Sequence, residues 1–469
     1  MLFSAITFLY FYLPVTVLIY FIAPKPAKNA VLLLGSLFFY GWGEPKYLIL
    51  MVISIIQGYV LGLLIDKSKR DKKEKLSKLY ISLSVVLSLG TLGYFKYADF
   101  FIENFNRVTG LSMGLLKIAL PIGISFYTFQ ILSYTIDVYR RNVDVQKNII
   151  DFGAYVAMFP QLIAGPIVRY ADIAVQLKNR THSIAKSAEG IRRFIIGLSK
   201  KVLLANILGE LAEAYRTAED KSVLFVWLYA IAYTLHIYFD FSGYSDMAIG
   251  LGKIFGFDFP ENFNYPYISK SVTEFWRRWH MSLGTWFRDY LYIPLGGNRV
   301  SKPRWMINIL IVWLATGFWH GAAWNFIIWG LYFAILLMLE KLFLLKITEK
   351  LKGINHIYVL LLVIISFVIF DSLTMNRATS VIGEMFFMKG LPLTTQESVY
   401  LLRSYAVIII TGIIGATPIP KKLVLKLREI KAGAIVTDVA EPFLLVSLLA
   451  VVTAFLVDGS FNPFLYFRF

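Results

Sequence analysis

The chain has 469 residues, of which 57% are hydrophobic and only 16% are charged, and its formal net charge is +17. Soluble domains carry about 25% charged residues, so this composition excludes a soluble or disordered protein and indicates a polytopic membrane protein. The sequence contains no cysteine, which excludes a disulfide framework, a thiolate nucleophile and a cysteine-based metal site.

Apolar segments follow one another along the whole chain. In chain order the candidate spans are Phe3–Ile22, Val31–Trp42, Tyr47–Ile65, Tyr80–Phe101, Leu115–Ile136, Phe152–Val168, Phe194–Leu211, Leu224–Ile249, Met306–Trp319, Trp324–Leu345, His356–Phe370, Tyr400–Ile414 and Pro442–Val457. The shorter candidates are tilted, partial or re-entrant spans. We predict an all-α polytopic integral membrane protein with about eleven transmembrane helices plus re-entrant and interfacial helices.

The net positive charge is confined to four windows, residues 66–78, 177–201, 341–352 and 421–431, because the remainder of the chain nets zero. Basic loops beside apolar segments follow the positive-inside rule and do not indicate nucleic-acid binding. The loops at 66–78, 341–352 and 421–431 are therefore predicted to be cytoplasmic and in contact with membrane lipid. Counting spans from them places both the N-terminus and residues 458–469 outside.

No linker is long enough for a soluble domain, so residues 1–469 are predicted to form one transmembrane domain. The segment 257–304 within it is too polar to span the membrane and unusually aromatic. Such a composition is typical of protein that lies at the membrane interface or lines a cavity.

His320 is the first candidate catalytic residue. It lies between two apolar segments, and a helix from Met306 to Trp319 would rise roughly 21 Å from the cytoplasmic side, short of a full crossing. A neutral imidazole at that depth suits general-base catalysis, although a histidine that only bonds two helices together is an equal alternative. Gly317 and Gly321 flank it at a spacing that permits close approach of a helix or a substrate. No carboxylate or second histidine lies at metal-ligand spacing, so no metal site is predicted.

The second candidate group follows Ser271, which forms a capping box with Glu274 and so predicts the start of a helix. Helical spacing then places Trp276, Arg277 and His280 on one face. Aromatic and guanidinium groups can hold phosphate and pantetheine-like groups, and Trp286, Arg288 and Asp289 extend this group of side chains. An aromatic belt with lipid-facing arginines is the alternative interpretation.

Two further segments contain polar or proline residues inside apolar sequence. Asp240–Asp246 is either a polar lining or a helix break. Phe159–Pro166 contains two prolines and predicts a re-entrant or broken helix.

In these segments the sequence resembles the membrane-bound O-acyltransferase family, in its bacterial branch that contains the alginate O-acetyltransferase membrane subunit. The resemblance is carried by five stretches: Pro160–Arg169, Asp240–Gly250, Asn262–Arg299, Trp319–Gly330 and Asn462–Phe469. It implies a helical bundle with a central tunnel, His320 as the signature catalytic histidine and His280 as a second catalytic histidine on the cytoplasmic side. It also implies, more weakly, substrate-binding roles for Trp276, Arg277, Arg288, Asp289, Trp319, Trp324 and Asn325.

The reaction that this resemblance implies is the transfer of an acyl group, most simply acetyl, from a cytoplasmic thioester to a hydroxyl outside. The thioester, acetyl-CoA or an acyl carrier protein, is a co-substrate, and no bound cofactor is expected. His320 would act as the base, Trp319, Trp324 and Asn325 would shape a water-excluding chamber, and His280 would receive the thioester or stabilise its oxyanion. An acyl-histidine intermediate is a variant of this mechanism. The implied partner is an extracellular SGNH-type acetyltransferase that modifies a polysaccharide at the bacterial cell membrane.

Three alternatives remain open. The same fold could transfer D-alanine to teichoic acid or acetylate peptidoglycan. A transporter would require repeats in two halves of the chain, and we see none. A structural scaffold with an inactive site is the third alternative.

Overall fold

In a computed structural model, which describes residues 2–163, 165–348, 350 and 353–459, the protein is helical and the described residues form no strand. The predicted all-α class is therefore confirmed. The α-helices are Leu13–Ile22, Lys28–Gly43, Leu48–Arg70, Glu74–Thr109, Ile124–Arg140, Ile149–Ala157, Phe159–Leu162, Tyr170–Lys178, Ile184–Ser199, Ile207–Thr217, Val223–Ile254, Val272–Arg278, Met281–Phe287, Lys302–His320, Trp324–Leu339, Leu345–Thr348, Ile354–Asp371, Met375–Met385, Gln396–Gly415, Ile419–Arg428 and Lys431–Val457. Short π-helical turns continue several of them, at Phe8–Tyr12, Lys200–Asn206, Arg288–Tyr292 and Glu340–Leu344.

Seven helices of the described residues are long and apolar enough to cross a membrane. They are Pro45–Arg70, Glu74–Thr109, Val223–Ile254, Trp324–Thr348, Ile354–Asp371, Gln396–Gly415 and Lys431–Val457, where the first and fourth include adjoining short turns. Each coincides with a span predicted from the sequence, and Phe8–Ile22 is a shorter apolar helix. The chain is a multi-pass membrane protein, and the count of about eleven spans stays a prediction.

Three local predictions were wrong. The candidate span 115–136 is not helical at its start, because the helix begins at Ile124, after Pro121 and a left-handed Gly123. The helix expected from Met306 begins at Lys302, where Pro303 occupies a first-turn position and needs no hydrogen-bond donor. Residues 240–246 do not break a helix, because Val223–Ile254 is continuous through them.

A helix is interrupted just before Pro160, as the prolines of this segment predict. Ile149–Ala157 ends before Met158, whose ψ of 110° is not helical, and a single turn follows at Phe159–Leu162. Residues 460–469, which include the predicted extracellular end and the motif Asn462–Phe469, lie outside the described residues.

Two compact units make up the chain. The N-terminal unit contains the residues up to Phe194 together with Met247–Pro260, and the C-terminal unit contains Ile195–Asp246 and the residues from Glu261 onward. An aromatic cluster of Phe8, Phe39 and Phe159 lies in the core of the N-terminal unit. All the candidate site residues belong to the C-terminal unit. That residues 1–469 form one transmembrane domain stays a prediction.

Candidate functional site

The helical hairpin Lys302–His320 and Trp324–Leu339 carries the first catalytic candidate. Its two helices approach so closely that a Cβ atom added to Gly317 would lie 3.3 Å from the Cα atom of Gly330. A Cβ atom on Gly321 would overlap the ring of Phe326. The small residues that flank His320 in sequence therefore serve helix–helix contact, one of the two uses that their spacing predicted.

His320 is the last residue of its helix, and three aromatic rings surround it. The centroid of its imidazole lies 5.1 Å from that of Trp319, 5.1 Å from that of Trp329 and 5.2 Å from that of Phe370. All three pairs are edge-to-face, with interplanar angles of 76°, 83° and 83°. His320 is half-buried, so it is not sealed in the core.

His280 does not share a helix face with Trp276 and Arg277, contrary to the sequence prediction. The helix Val272–Arg278 ends before Trp279, which is extended, and His280 adopts a left-handed conformation with φ of 43°. It then serves as the residue before the helix Met281–Phe287. A non-glycine residue at positive φ is uncommon and costs free energy, which the surrounding contacts must offset.

The contacts of His280 are polar on one edge and aromatic on the other. Its Nδ1 atom lies 3.1 Å from Oδ1 of Asn262, and its ring meets that of Phe241 edge-to-face at 4.6 Å. The side chain is 2% exposed, and its Nε2 atom is buried with no hydrogen-bond partner among the described residues. Burial lowers the pKa of His280 well below the usual 6.5, and the nearby His320 lowers it further. His280 is therefore neutral at physiological pH.

Both imidazoles contact the ring of Trp319. Its ring centroid is 5.9 Å from His280 and 5.1 Å from His320, and its side chain is buried. The two histidines, 40 positions apart in sequence, thus belong to one site with an indole as the shared wall.

The helix that carries Trp276 begins at Val272, directly after the predicted capping residue Ser271. Ser271 accepts a hydrogen bond from the backbone of Glu274, as predicted, but the Glu274 carboxylate accepts from the backbone of Lys270, so the capping box is not reciprocal. The buried carboxylate of Glu340 instead accepts from the first two backbone N–H groups of the helix, those of Val272 and Thr273.

The helix so fixed carries Trp276 into a cluster of aromatic rings. Its centroid lies 4.6 Å from Trp313 and 5.5 Å from Trp329, and Trp329 in turn faces His320. Trp276 is therefore one ring removed from the imidazole.

The other predicted substrate-binding residues divide into buried and exposed sets. Asn325 is buried and donates to the carbonyl oxygen of Phe370, which holds the Phe370 ring beside His320. Arg277 and Arg288 are exposed, and Arg288 pairs with Asp289 at 2.7 Å. Trp324 is 51% exposed. Burial groups Trp319 and Asn325 with His280, and ring contacts connect Trp276 to His320 through Trp329. The substrate-binding roles of all these residues stay predictions.

Sequence reasoning missed Asn262, Phe241, Trp329 and Phe370, all of which contact a catalytic candidate. Three of these are aromatic and lie in apolar sequence. Phe241 and Trp329 fall within stretches of family resemblance, but nothing there distinguishes them from packing residues. Asn262 carried a weak signal, because it opens one of the stretches of family resemblance and is followed by a dense aromatic segment.

The segment 240–246 carries two acidic side chains that form ion pairs, on a helix that is continuous. Asp240 and Lys201 form an ion pair of 2.6 Å in which the side chains are 2% and 1% exposed. Asp246 pairs with Lys200 at 2.7 Å. Gly243, between the two acids, lets the backbone of Gly197 approach. Charges buried in this way are stable only when paired.

A cavity of about 530 Å³ opens at the start of the helix that carries Trp276. Its lining includes Lys270, Ser271, Thr348, Asn355 and His356. No group of three or more potential metal ligands occurs among the residues that the structure describes.

Comparisons with known proteins identify the family of this chain. The model of the membrane-bound O-acyltransferase family matches residues 37–373, which include both histidines. A protein of Azotobacter vinelandii named "Probable alginate O-acetylase AlgI" is 39% identical over the full length of both chains. Its namesake in Pseudomonas aeruginosa is 44% identical over 82% of this chain and 75% of its own. The "Peptidoglycan O-acetyltransferase" of Helicobacter pylori is 38% identical over 73% of this chain and 70% of its own.

A family match over most of the chain and relatives of this similarity lead to one conclusion. The chain belongs to the membrane-bound O-acyltransferase family and is an O-acyltransferase.

Proposed function

We propose that this O-acyltransferase moves an acetyl group from a cytoplasmic thioester to a hydroxyl on the far side of a bacterial cell membrane, for O-acetylation of an exopolysaccharide such as alginate. The observation that carries the proposal is that two imidazoles, those of His280 and His320, both contact the ring of the buried Trp319. The names of the Azotobacter and Pseudomonas relatives support alginate as the polysaccharide class.

The proposed chemistry uses His320 as base and then as acid. Its imidazole accepts the proton of the attacking hydroxyl, whose oxygen forms a bond to the thioester carbonyl carbon. The carbon–sulfur bond then breaks, and the same proton passes from His320 to the departing thiolate. The products are an ester and a free thiol, so protons and electrons balance without any cofactor.

The aromatic rings around His320 have a chemical purpose in this proposal. Trp319, Trp329 and Phe370 pack edge-to-face with the imidazole and, in this proposal, limit the access of water to it. A thioester held in such an enclosure meets the hydroxyl in preference to water, so transfer outcompetes hydrolysis.

We further propose that the donor enters from the cytoplasm at the cavity beside Lys270. Leu345 and Thr348 line this cavity and belong to the basic window 341–352, which is predicted to be cytoplasmic. The Lys270 ammonium can bind a phosphate of acetyl-CoA or of a carrier-bound phosphopantetheine. The helix that begins there carries Trp276 toward Trp329 and His320.

Donor entry at this cavity is tested with Lys270→Glu. The exchange should raise the KM for the acetyl donor several-fold and leave kcat little changed, because it alters binding far from the reacting atoms. Lys75→Glu, at an exposed position that does not line the cavity, is the control. An unchanged KM for Lys270→Glu would place donor entry elsewhere.

The acceptor is proposed to be a protein partner outside the membrane, of the SGNH acetyltransferase type, that passes acetyl to the polysaccharide. In this arrangement both chain termini lie outside and the basic loops lie in the cytoplasm, as the charge distribution predicts.

Mass analysis of cell-surface glycans tests the proposed substrate. Removal of the gene should abolish ester-linked acetate on the exopolysaccharide, and restoration of the wild-type gene should return it. Unchanged acetate would refute the proposal.

Peptidoglycan O-acetylation is the second candidate, favoured by the Helicobacter relative at 38% identity. The same cells distinguish the two, because loss of acetate from muropeptides with intact exopolysaccharide would select this alternative. Loss of D-alanine esters from teichoic acid would select D-alanyl transfer.

A further inference from the structure

Asn262 is fully buried and bonds to four groups within the C-terminal unit. Its Oδ1 atom lies 2.9 Å from Oγ of Ser282, 3.3 Å from the backbone nitrogen of Ser282 and 3.1 Å from Nδ1 of His280. Its Nδ2 atom donates to Oγ of Ser245 at 3.0 Å. Both the oxygen and the nitrogen of the side-chain amide are thereby hydrogen-bonded.

These partners determine which way the amide faces. A backbone N–H group can only donate, so the atom that faces the nitrogen of Ser282 must be the oxygen of Asn262. The NH₂ group then faces Ser245, whose hydroxyl oxygen accepts from it. The backbone carbonyl oxygen of Asn262 also accepts a hydrogen bond from the backbone N–H group of Met281. This bond ties the backbone of Asn262 to the residue that follows His280.

The orientation of Asn262 in turn determines the tautomer of His280. An amide oxygen can only accept, so Nδ1 of His280 must carry the hydrogen atom of their bond. In a neutral imidazole Nε2 then bears a lone pair and no hydrogen. This is the buried Nε2 atom that has no hydrogen-bond partner among the described residues.

We propose that Asn262 is a positioning residue that holds His280 as a hydrogen-bond acceptor, with its Nε2 lone pair directed at an O–H, N–H or S–H group of a bound substrate. The proposal rests on the acyltransferase function proposed above. It also sharpens the role of His280, because a bare Nε2 cannot donate to an oxyanion. His280 therefore receives and orients a substrate donor group, and stabilisation of an oxyanion falls to other groups.

The left-handed backbone of His280 supports the same role. With φ of 43°, this residue is held in a conformation that costs free energy, and the bonds from Met281 and Ser282 to Asn262 lie directly beside it. Strain at such a position is worth maintaining where it aims a functional side chain.

The direct test is ¹⁵N NMR of histidine-labelled protein in lipid bilayers, since the chain has only five histidines. The His280 signals, assigned by their loss in His280→Gln, should show a protonated Nδ1 and an unprotonated Nε2. A protonated Nε2 would overturn the proposal. This readout needs no enzyme activity, so its failure is distinct from failure of the proposed function, which would appear as absence of acyl transfer by the wild type.

Kinetics of three variants provide the second test. Asn262→Leu should lower kcat by about 10- to 100-fold, and its NMR spectrum should show His280 in a mixture of tautomers. Asn262→Asp keeps an acceptor at the same place and should restore most of the activity, whereas Ser245→Ala removes only the anchor of Nδ2 and should cost less than Asn262→Leu. Equal losses in Asn262→Leu and Asn262→Asp, with an unchanged His280 spectrum in both, would contradict a positioning role.

Discussion

Two polar clusters in this protein differ in how their atoms are satisfied. In the N-terminal unit, the buried hydroxyl of Tyr20 accepts from Arg180 at 2.7 Å, contacts Nε2 of His182 at 2.8 Å and donates to the carbonyl oxygen of Phe255 at 2.9 Å. Arg180 also donates to Asn29 at 2.6 Å. In the C-terminal unit, the imidazoles of His280 and His320 face mainly aromatic rings.

The difference separates a structural role from a chemical one. A histidine whose nitrogen is bonded within a network, as in His182, has little capacity left for a substrate. An imidazole with a buried, unbonded nitrogen, as in His280, costs stability and is retained where it meets a ligand. Histidine alone therefore does not mark the active site; a buried ring nitrogen that is left without a hydrogen bond, as in His280, does.

The largest effect is expected for the catalytic base. His320→Ala should abolish measurable acetyl transfer, because general acid–base catalysis contributes about 100- to 10,000-fold. Membrane insertion and protein yield should match the wild type. His182→Ala, in the satisfied network, is the control and should keep its activity per folded molecule. Activity retained in His320→Ala would refute the role of His320.

A smaller effect is expected from the wall of the site. Trp329→Ala removes one of the rings beside His320 and should let water reach the thioester, so that the ratio of donor hydrolysis to acetyl transfer rises. Loss of a buried tryptophan should also lower the free energy of unfolding by about 3–5 kcal/mol. Free thiol release with and without acceptor gives the ratio. Trp329→Phe keeps a ring and should stay close to the wild type, and an equal rise in both variants would contradict the water-exclusion account.

Removing one hydroxyl from the satisfied network should affect stability and leave the chemistry intact. Tyr20→Phe strands the partners that its hydroxyl bonds and should cost about 1–3 kcal/mol in the free energy of unfolding. Thermal unfolding in detergent measures the cost, and kcat per folded molecule should be unchanged. A lowered kcat at unchanged stability would show that the network takes part in catalysis.

The smallest effect concerns pH. Because the pKa of His280 lies well below 6.5 in the folded protein and near 6.5 in the unfolded chain, acid favours the unfolded chain. This contribution to stability is complete at neutral pH and is lost as the pH falls below 6.5, by about 1.4 kcal/mol per unit. His280→Gln cannot titrate, so the difference in melting temperature between it and the wild type should narrow from pH 7.5 to 5.5. A constant difference would show that His280 is not held neutral by the fold.

The sequence predicted the helical class and the location of the two histidines better than it predicted their surroundings. Hydropathy identified seven of the spans, because a helix that crosses the hydrocarbon layer needs only a sufficiently long run of apolar residues. His320 stood out for the same reason, as an ionisable group between apolar segments. These inferences use local sequence alone.

The surroundings depend on contacts that local sequence does not encode. Helical spacing put His280 beside Trp276 and Arg277, but an extended Trp279 and a left-handed His280 ended the helix first. Asn262 contacts His280 from 18 positions away in the sequence. Trp329 contacts His320 because the two helices that carry them form a hairpin. A hydrophobic pattern gives no indication of either contact.

Vectorial transfer in sealed proteoliposomes tests the central claim most directly. Acetyl-labelled thioester is supplied on the side of the basic loops, with a hydroxyl acceptor confined to the other side. The account predicts ester-linked label on the acceptor with the wild type and none with His320→Ala. Label recovered only as free acetate, or equal labelling of the acceptor by both proteins, would contradict it.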